Sequence, residues 1–230
     1  MGRVIVVTGT DTEVGKTFVT AALANRLRAD GRTVRAVKPV ESGCEGDEAG
    51  PSEDGVILAE ATGQATPLAA VQRLHAPLAP PVAARLEGVP IRDDVWAPLV
   101  AGLADEAEFV FVETAGGLFS PLSERFDALS LAKHLGADVL VVASDRLGSI
   151  NHSRLTFTVL QQAGFSRGAN SPSIVGFVFS EPAEPDESTR GNAAAFAEST
   201  DFPRVCSLSR QASWSAAAAA LDPVLEWLKR

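Results

Sequence analysis

The stretch Val6–Thr17, VVTGTDTEVGKT, joins a β-branched run, Arg3 to Thr8, to an apolar helical pattern beginning at Lys16. A phosphate-binding loop follows the pattern G-x-x-x-x-G-K-[ST]. Here five residues, not four, separate Gly9 from Gly15, and two of them, Asp11 and Glu13, are acids. Strand, glycine-rich turn, Lys-Thr and helix still come in the order that a phosphate site requires. The amides of Val14, Gly15, Lys16 and Thr17 would face an anion at a helix N-terminus. Lys16 would reach the terminal phosphates, and the Thr17 hydroxyl suits Mg²⁺. The competing reading is an ordinary strand–turn–helix corner.

The rest of the chain repeats this alternation. Helical spacing of Val19, Ala22, Leu23 and Leu27 carries a helix to Asp30, closed by Gly31. Strands are expected at 33–37, 109–112, 139–143, 174–179 and 204–207. Helices are expected at 54–62, 80–87, 93–106, 124–135, 151–163, 188–199 and 219–229. Residues 39–53 read as a loop, and TAGG at 114–117 as a turn. Alternating strands and helices predict an α/β fold, a doubly wound, mainly parallel sheet in a single domain over 1–230. In such a sheet the functional loops follow the carboxyl ends of the strands. Those loops are 9–17, 38–54, 113–122, 144–151 and 180–187.

Of 230 residues, 46% are hydrophobic and 21% charged, which is a globular composition. A net charge of −9 argues against nucleic acid or an anionic membrane as the main partner. No apolar run is long enough to span a bilayer. Cys44 and Cys206 are far apart and lack metal-ligand spacing, which suits a reducing compartment. A strand begins at the N-terminus with no signal-like segment before it, so the expected location is cytoplasmic. His75, His134 and His152 pair with no nucleophile at useful spacing.

Only four lysines occur: Lys16, Lys38, Lys133 and Lys229. Two of them end neighbouring candidate strands. Arginine is a poor substitute for a compact ammonium at a phosphate or an amine-derived anion, which singles out Lys38 in VKPVESG, though a solvated loop lysine is the plainer alternative. Glu113 ends an apolar strand, where a nucleotidase keeps its metal-side acid. Asp54 opens a helix, and its simplest role is on the helix dipole. With Thr17, the two carboxylates would suit Mg²⁺.

With these residues in hand, the chain resembles the dethiobiotin synthetase family, in the P-loop NTPase superfamily. GTDTEVGKT at 9–17 matches that family's lengthened loop. KPVESG at 38–43, the GG-F-PL pattern at 116–122 and RLGSINH at 146–152 resemble its later motifs. The resemblance implies an ATP- and Mg²⁺-dependent cyclo-ligase acting on 7,8-diaminononanoate and CO₂. It assigns catalysis to Lys38, Lys16 and Thr12. It assigns nucleotide binding to Glu13 through Phe18 (that is, Glu13, Val14, Gly15, Lys16, Thr17 and Phe18), with Asp54, Glu113, Gly116, Ser180 and Glu181. Metal would be held by Thr17, Asp54 and Glu113. Substrate would meet Thr12, Lys38, Ser42 and Gly116, and, from the second chain of a homodimer, Leu147, Gly148, Ile150 and Asn151. The extra loop length would let Thr12 and Glu13 face a second substrate while residues 14–17 cradle phosphate.

Two places depart from the family pattern. ETAGG at 113–117 carries Thr114 where glycine is usual. Thr114 would be strained at positive φ, or at ordinary φ would add a hydroxyl near phosphate. Ser180-Glu181 replaces an Asn-Asp that reads adenine. A serine hydroxyl cannot pair with both N6 and N7, so base selectivity is expected to be loose. A related amidoligase is a second reading, but the residues after 180 leave no room for a glutaminase domain. A partitioning switch ATPase is a third. It resembles K-G-G-x-x-K-[ST], and Asp11 stands where that signature lysine belongs.

Overall fold

The computed structural model describes residues 1–166 and 172–229. Chain order runs β1 (Arg3–Gly9), α1 (Lys16–Ala29), β2 (Val34–Val37), β3 (Val40–Ser42), α2 (Asp54–Thr62), β4 (Gln72–Leu74), α3 (Pro80–Glu87) and α4 (Trp96–Glu106). It continues β5 (Phe109–Gly117), α5 (Ala128–Leu135), β6 (Asp138–Ser144), α6 (Ser149–Gln162), β7 (Ile174–Ser180), α7 (Asn192–Thr200), β8 (Val205–Leu208), α8 (Trp214–Ala217) and α9 (Asp222–Leu228). Six strands form one sheet in the order β2-β5-β1-β6-β7-β8, and every pairing is parallel. β3 and β4 make a separate two-stranded ribbon.

The central strands are apolar on both faces because helices cover both. Val6, Val112, Val141 and Phe177 belong to one core, and Ile5, Val7, Phe111, Leu140 and Val142 to the other. This is the near-continuous hydrophobic run expected of a buried parallel strand. Among the described residues, no helix is long and apolar enough to cross a membrane.

Register places the chemistry. Val37 of β2 lies beside Val112 of β5, so the residues that follow, Lys38 and Glu113, emerge side by side. Val7 of β1 pairs with Glu113 on the other side. The β1–β5 register then shifts, and Gly9 pairs with Gly117. The loop after β1 therefore starts beside residues 116–117.

Several sequence expectations need correction. TAGG is not a turn: β5 runs on to Gly117, because the shifted register gives those residues a partner strand. The 39–53 loop contains β3, too short a strand to show periodicity. The expected helix from 124 begins only at Ala128, since Asp127 caps it by accepting from the Ser130 amide. The helix expected from 188 begins at Asn192, and the one expected from 151 begins at Ser149. The helix expected at 219–229 is a 3₁₀ turn at Ala218–Leu221 followed by α9, and α8 precedes it outside the expected span. Thr114 has no positive φ, and its buried hydroxyl donates to the Val7 carbonyl at 3.2 Å, so it ties β5 to β1 instead of reaching toward phosphate.

Candidate active site

The loop between β1 and α1 ends at Gly15, which has φ 92° and supplies no side-chain cap. The first amides of α1 are thus left for an anion. Gly15 cannot become larger: a Cβ there would lie 2.9 Å from Ser180 Oγ, besides the unfavourable φ. Glu13 also has positive φ, at 55°. For a non-glycine residue this costs about 1–3 kcal/mol.

Lys16 is buried, and its ammonium donates to the Asp11 carbonyl across the loop at 3.1 Å. Burial, with Lys38 nearby, lowers its pKa to about 8. The incoming negative charge of a phosphate would restore the usual preference for the ammonium form.

Beyond Lys16, four side chains converge. Thr17 Oγ1 lies 2.6 Å from Asp54 Oδ1 and 2.7 Å from Glu113 Oε1. A hydroxyl has one proton, so it can donate to only one of these at a time. The Lys38 ammonium closes the cluster, donating to Asp54 Oδ2 at 2.5 Å and to Glu113 Oε1 at 2.9 Å. Lys38 and Glu113 are 3% and 0% exposed. Burial alone would lower the Lys38 pKa, but the charges of Glu113 and Asp54 outweigh it and hold Lys38 above the ordinary lysine range. For Asp54, burial pushes upward, and Lys38 and the Thr17 hydroxyl overcome it to leave the carboxyl below its usual value.

Asp54 is placed from outside its own helix. The N-cap residue Glu53 makes no side-chain cap. Instead the buried Glu41 carboxylate accepts from the Asp54 amide at 2.6 Å and the Gly55 amide at 3.0 Å. Glu53 is held by Arg73 at 2.6 Å. Glu41, Cys44 and Glu53 lie close enough to hold a metal, but both carboxylates already have these partners.

The Thr17–Asp54–Glu113 cluster fits Mg²⁺ better. It offers a hydroxyl and two carboxylates, hard oxygen donors of the kind Mg²⁺ takes. In addition, Glu113 Oε2 is fully buried and has no hydrogen-bond partner. A buried carboxylate oxygen without a partner is costly unless a cation compensates it.

Two cavities flank the loop. One, of about 520 Å³, is lined by Lys16, Thr17, Lys38, Ser42, Asp54 and Gly116. The other, of about 810 Å³, is lined by Val14, Ser180, Glu181 and the Leu208–Ala212 segment. Thr12, Glu13, Gly15 and Phe18 line both, so the lengthened loop forms the wall between them. In the larger cavity, Glu181 accepts from the Arg210 amide and from Arg190, both at 3.1 Å.

The sequence-predicted residues of both cavities are thus brought together. Leu147, Gly148, Ile150 and Asn151 are not: none lines either cavity, and Leu147 is 81% exposed. Sequence reasoning overlooked Glu41, Arg146, Arg210 and Trp214, which line these cavities. Glu41 and Arg146 lie within quoted motifs, where their charges were a usable signal. Arg210 and Trp214 lie in a stretch with no motif.

The sequence pattern of an AAA domain family matches residues 3–218. An ATP-dependent dethiobiotin synthetase BioD of Streptomyces coelicolor is 40% identical over 226 residues, covering 96% of this chain and 87% of the relative. A protein of the same name from Anaeromyxobacter dehalogenans is 38% identical, with 97% of each chain covered. In structure the chain is similar to the septum site-determining protein MinD of Pyrococcus horikoshii, solved with Mg-ADP. The TM-score is 0.58 at 15% identity, covering 100% of this chain and 94% of that one. A ParA family ATPase of Chlorobium tepidum gives a TM-score of 0.55 at 13% identity, covering 100% and 98%. These two likenesses establish a shared P-loop NTPase fold alone.

Proposed function

The chain belongs to the ATP-dependent dethiobiotin synthetase family, and from that premise we propose that it converts 7,8-diaminononanoate, CO₂ and ATP to dethiobiotin, ADP and phosphate. One amine of the substrate attacks CO₂, loses a proton and becomes a carbamate. A carbamate oxygen then attacks the γ-phosphorus of ATP, and ADP leaves. The second amine attacks the carbonyl carbon of the resulting mixed anhydride. The C–O bond breaks, phosphate departs with the bridging oxygen, a proton is lost and the ureido ring closes.

The observation that carries this reading is the wall formed by the 10–15 loop. On one side lies the larger cavity with Ser180 and Glu181, suited to the base of a nucleotide. On the other, Lys38, Thr12 and Ser42 share a cavity with the phosphate lysine Lys16. In-line transfer needs both substrates held within a few ångströms, and such positioning supplies about 7–11 kcal/mol. Lys16 and the amides of residues 14–17 hold phosphate. Lys38 stabilises the carbamate charge and the transferred phosphoryl group. Thr12 and Ser42 bind the carbamate and diamine end, and Gly116 leaves room beside them. Thr17, Asp54 and Glu113 would hold Mg²⁺, which when bound neutralises charge on the phosphoryl oxygens.

We further propose a cytoplasmic homodimer with its active sites at the interface. Within one chain the 147–151 segment opens on neither cavity, and Leu147 is exposed. The buried Ser149 hydroxyl at the start of α6 has no hydrogen-bond partner. The segment would complete the second chain's site and receive the substrate carboxylate.

The test is incubation with diaminononanoate, bicarbonate, Mg²⁺ and ATP, with mass detection of dethiobiotin. Product is expected from the parent and none from Lys38→Ala. No product with any nucleoside triphosphate would sink the proposal.

A further inference from the structure

The loop between β7 and α7 is fastened to the turn after β6 at two places. One is buried Asp145, whose Oδ2 accepts from the Arg190 amide at 2.8 Å and whose Oδ1 accepts from Asn192 Nδ2 at 2.7 Å. Arg190 is held there at φ 74°, a conformation that non-glycine residues adopt only where their surroundings impose it. The same Arg190 sends its guanidinium to Glu181 at the larger cavity. The loop therefore leaves the wall of one site already fixed.

The other fastening is Asp186, and its two oxygens are used differently. Oδ1 accepts from the Ser188 amide at 2.8 Å and the Ser188 hydroxyl at 2.5 Å, which binds the carboxylate to its own turn. The Thr189 hydroxyl accepts from the Asp186 amide at 2.9 Å and donates to the same Oδ1 at 3.5 Å. Oδ2 then points away from the turn and accepts from the Leu147 amide at 2.8 Å. A carboxylate anchored through one oxygen presents the other in a fixed direction. What it fixes is the first residue of the 147–151 segment, immediately before Gly148, φ 91°, and the start of α6.

We propose that Asp186 is the positioning residue for the 147–151 segment and sets its fit to the substrate's carboxylate tail. The inference rests on the reading that this segment receives that tail. The bonds of Asp186 end on Leu147 and on its own turn, and Asp186 itself lines neither the larger cavity nor the cavity of Lys38. Losing it should therefore separate the two substrates kinetically. A residue that merely capped its own loop would leave both unchanged, and one that held up the fold would disturb both.

Steady-state kinetics on the full-length enzyme, with ATP and diaminononanoate varied separately, test this on Asp186→Ala, Asp186→Asn and Asn151→Ala. Asp186→Ala is expected to raise the KM for diaminononanoate about tenfold, the scale of one charge-assisted hydrogen bond. The KM for ATP and the melting temperature should hold. Asp186→Asn, which keeps one acceptor oxygen, should fall between Asp186→Ala and the parent. If Asn151→Ala raises the KM for the diamine and Asp186→Ala does not, the inference is overturned and the reading of the segment stands. If neither variant raises it, the segment does not hold the tail, and both fall. A joint rise of both KM values with a lowered melting temperature would make Asp186 a residue that holds up the fold and also overturn the inference.

Discussion

Replacing Lys38 by methionine should do more than stop catalysis. The ammonium is 3% exposed and touches Glu113, which is 0% exposed, and Asp54, whose side chain is 35% exposed. Methionine fills much of the same volume but leaves the Glu113 carboxylate buried without its cation. Breaking a buried pair in this way costs about 3–5 kcal/mol, chiefly through the charge left behind. The Asp54 bond adds less, because water partly screens it. For a chain of this length each kcal/mol moves the midpoint by about 2–4 °C, so Lys38→Met should melt about 6–20 °C below the parent. Thermal unfolding followed by circular dichroism, in buffer with a metal chelator, measures this. The double variant Lys38→Met/Glu113→Gln removes both charges and should recover much of the loss, since residues in one network are not additive. Millimolar Mg²⁺ should raise the single variant's midpoint more than the parent's. A midpoint within about 2 °C of the parent, or a double variant as unstable as the summed singles, would refute the reasoning. It also follows that Lys38→Ala must be assayed well below its own midpoint.

Shortening the lengthened loop by deleting Thr10 should harm turnover more than nucleotide binding, because the residues from Val14 onward keep the phosphate cradle while the wall toward the second substrate moves. Equal loss of both, measured by steady-state turnover and by ADP titration, would count against that division. In the larger cavity, Ser180 packs against Gly15, and the Glu181 carboxylate already accepts from Arg190 and the Arg210 amide. Turnover with ATP, GTP and CTP should therefore lie within about a hundredfold, since one good bidentate base contact is worth about 1–3 kcal/mol. A stronger preference for ATP would show that another group reads the base.

The parts of the molecule that the sequence made legible are those set by local chemistry. Gly9 to Thr17 can be read because glycine, lysine and threonine stand at a strand–helix junction. Lys38 and Glu113 can be found because each directly follows an apolar run of residues, and parallel register then brings them together. The misread parts depend on distant partners. TAGG looks like a turn until the shifted β1 register supplies Gly9 as the partner of Gly117. Thr114 offered two outcomes, and neither anticipated a hydroxyl spent on the Val7 carbonyl. Glu41 looked like a loop acid, yet it holds the amides of Asp54 and Gly55 from 13 and 14 residues upstream. Asp186 lies in a polar loop whose composition says only that it is exposed. Its bond to Leu147 spans 39 residues and has no trace in spacing or pattern.

The central claim is that one loop wall holds a carbamate against the γ-phosphate, so that an oxygen from CO₂ passes to phosphorus. Turnover in ¹⁸O-labelled bicarbonate, with mass analysis of both products, tests it most directly. The account predicts label in the ureido carbonyl and one ¹⁸O in each inorganic phosphate released. Dethiobiotin formed with labelled carbonyl but unlabelled phosphate would contradict it.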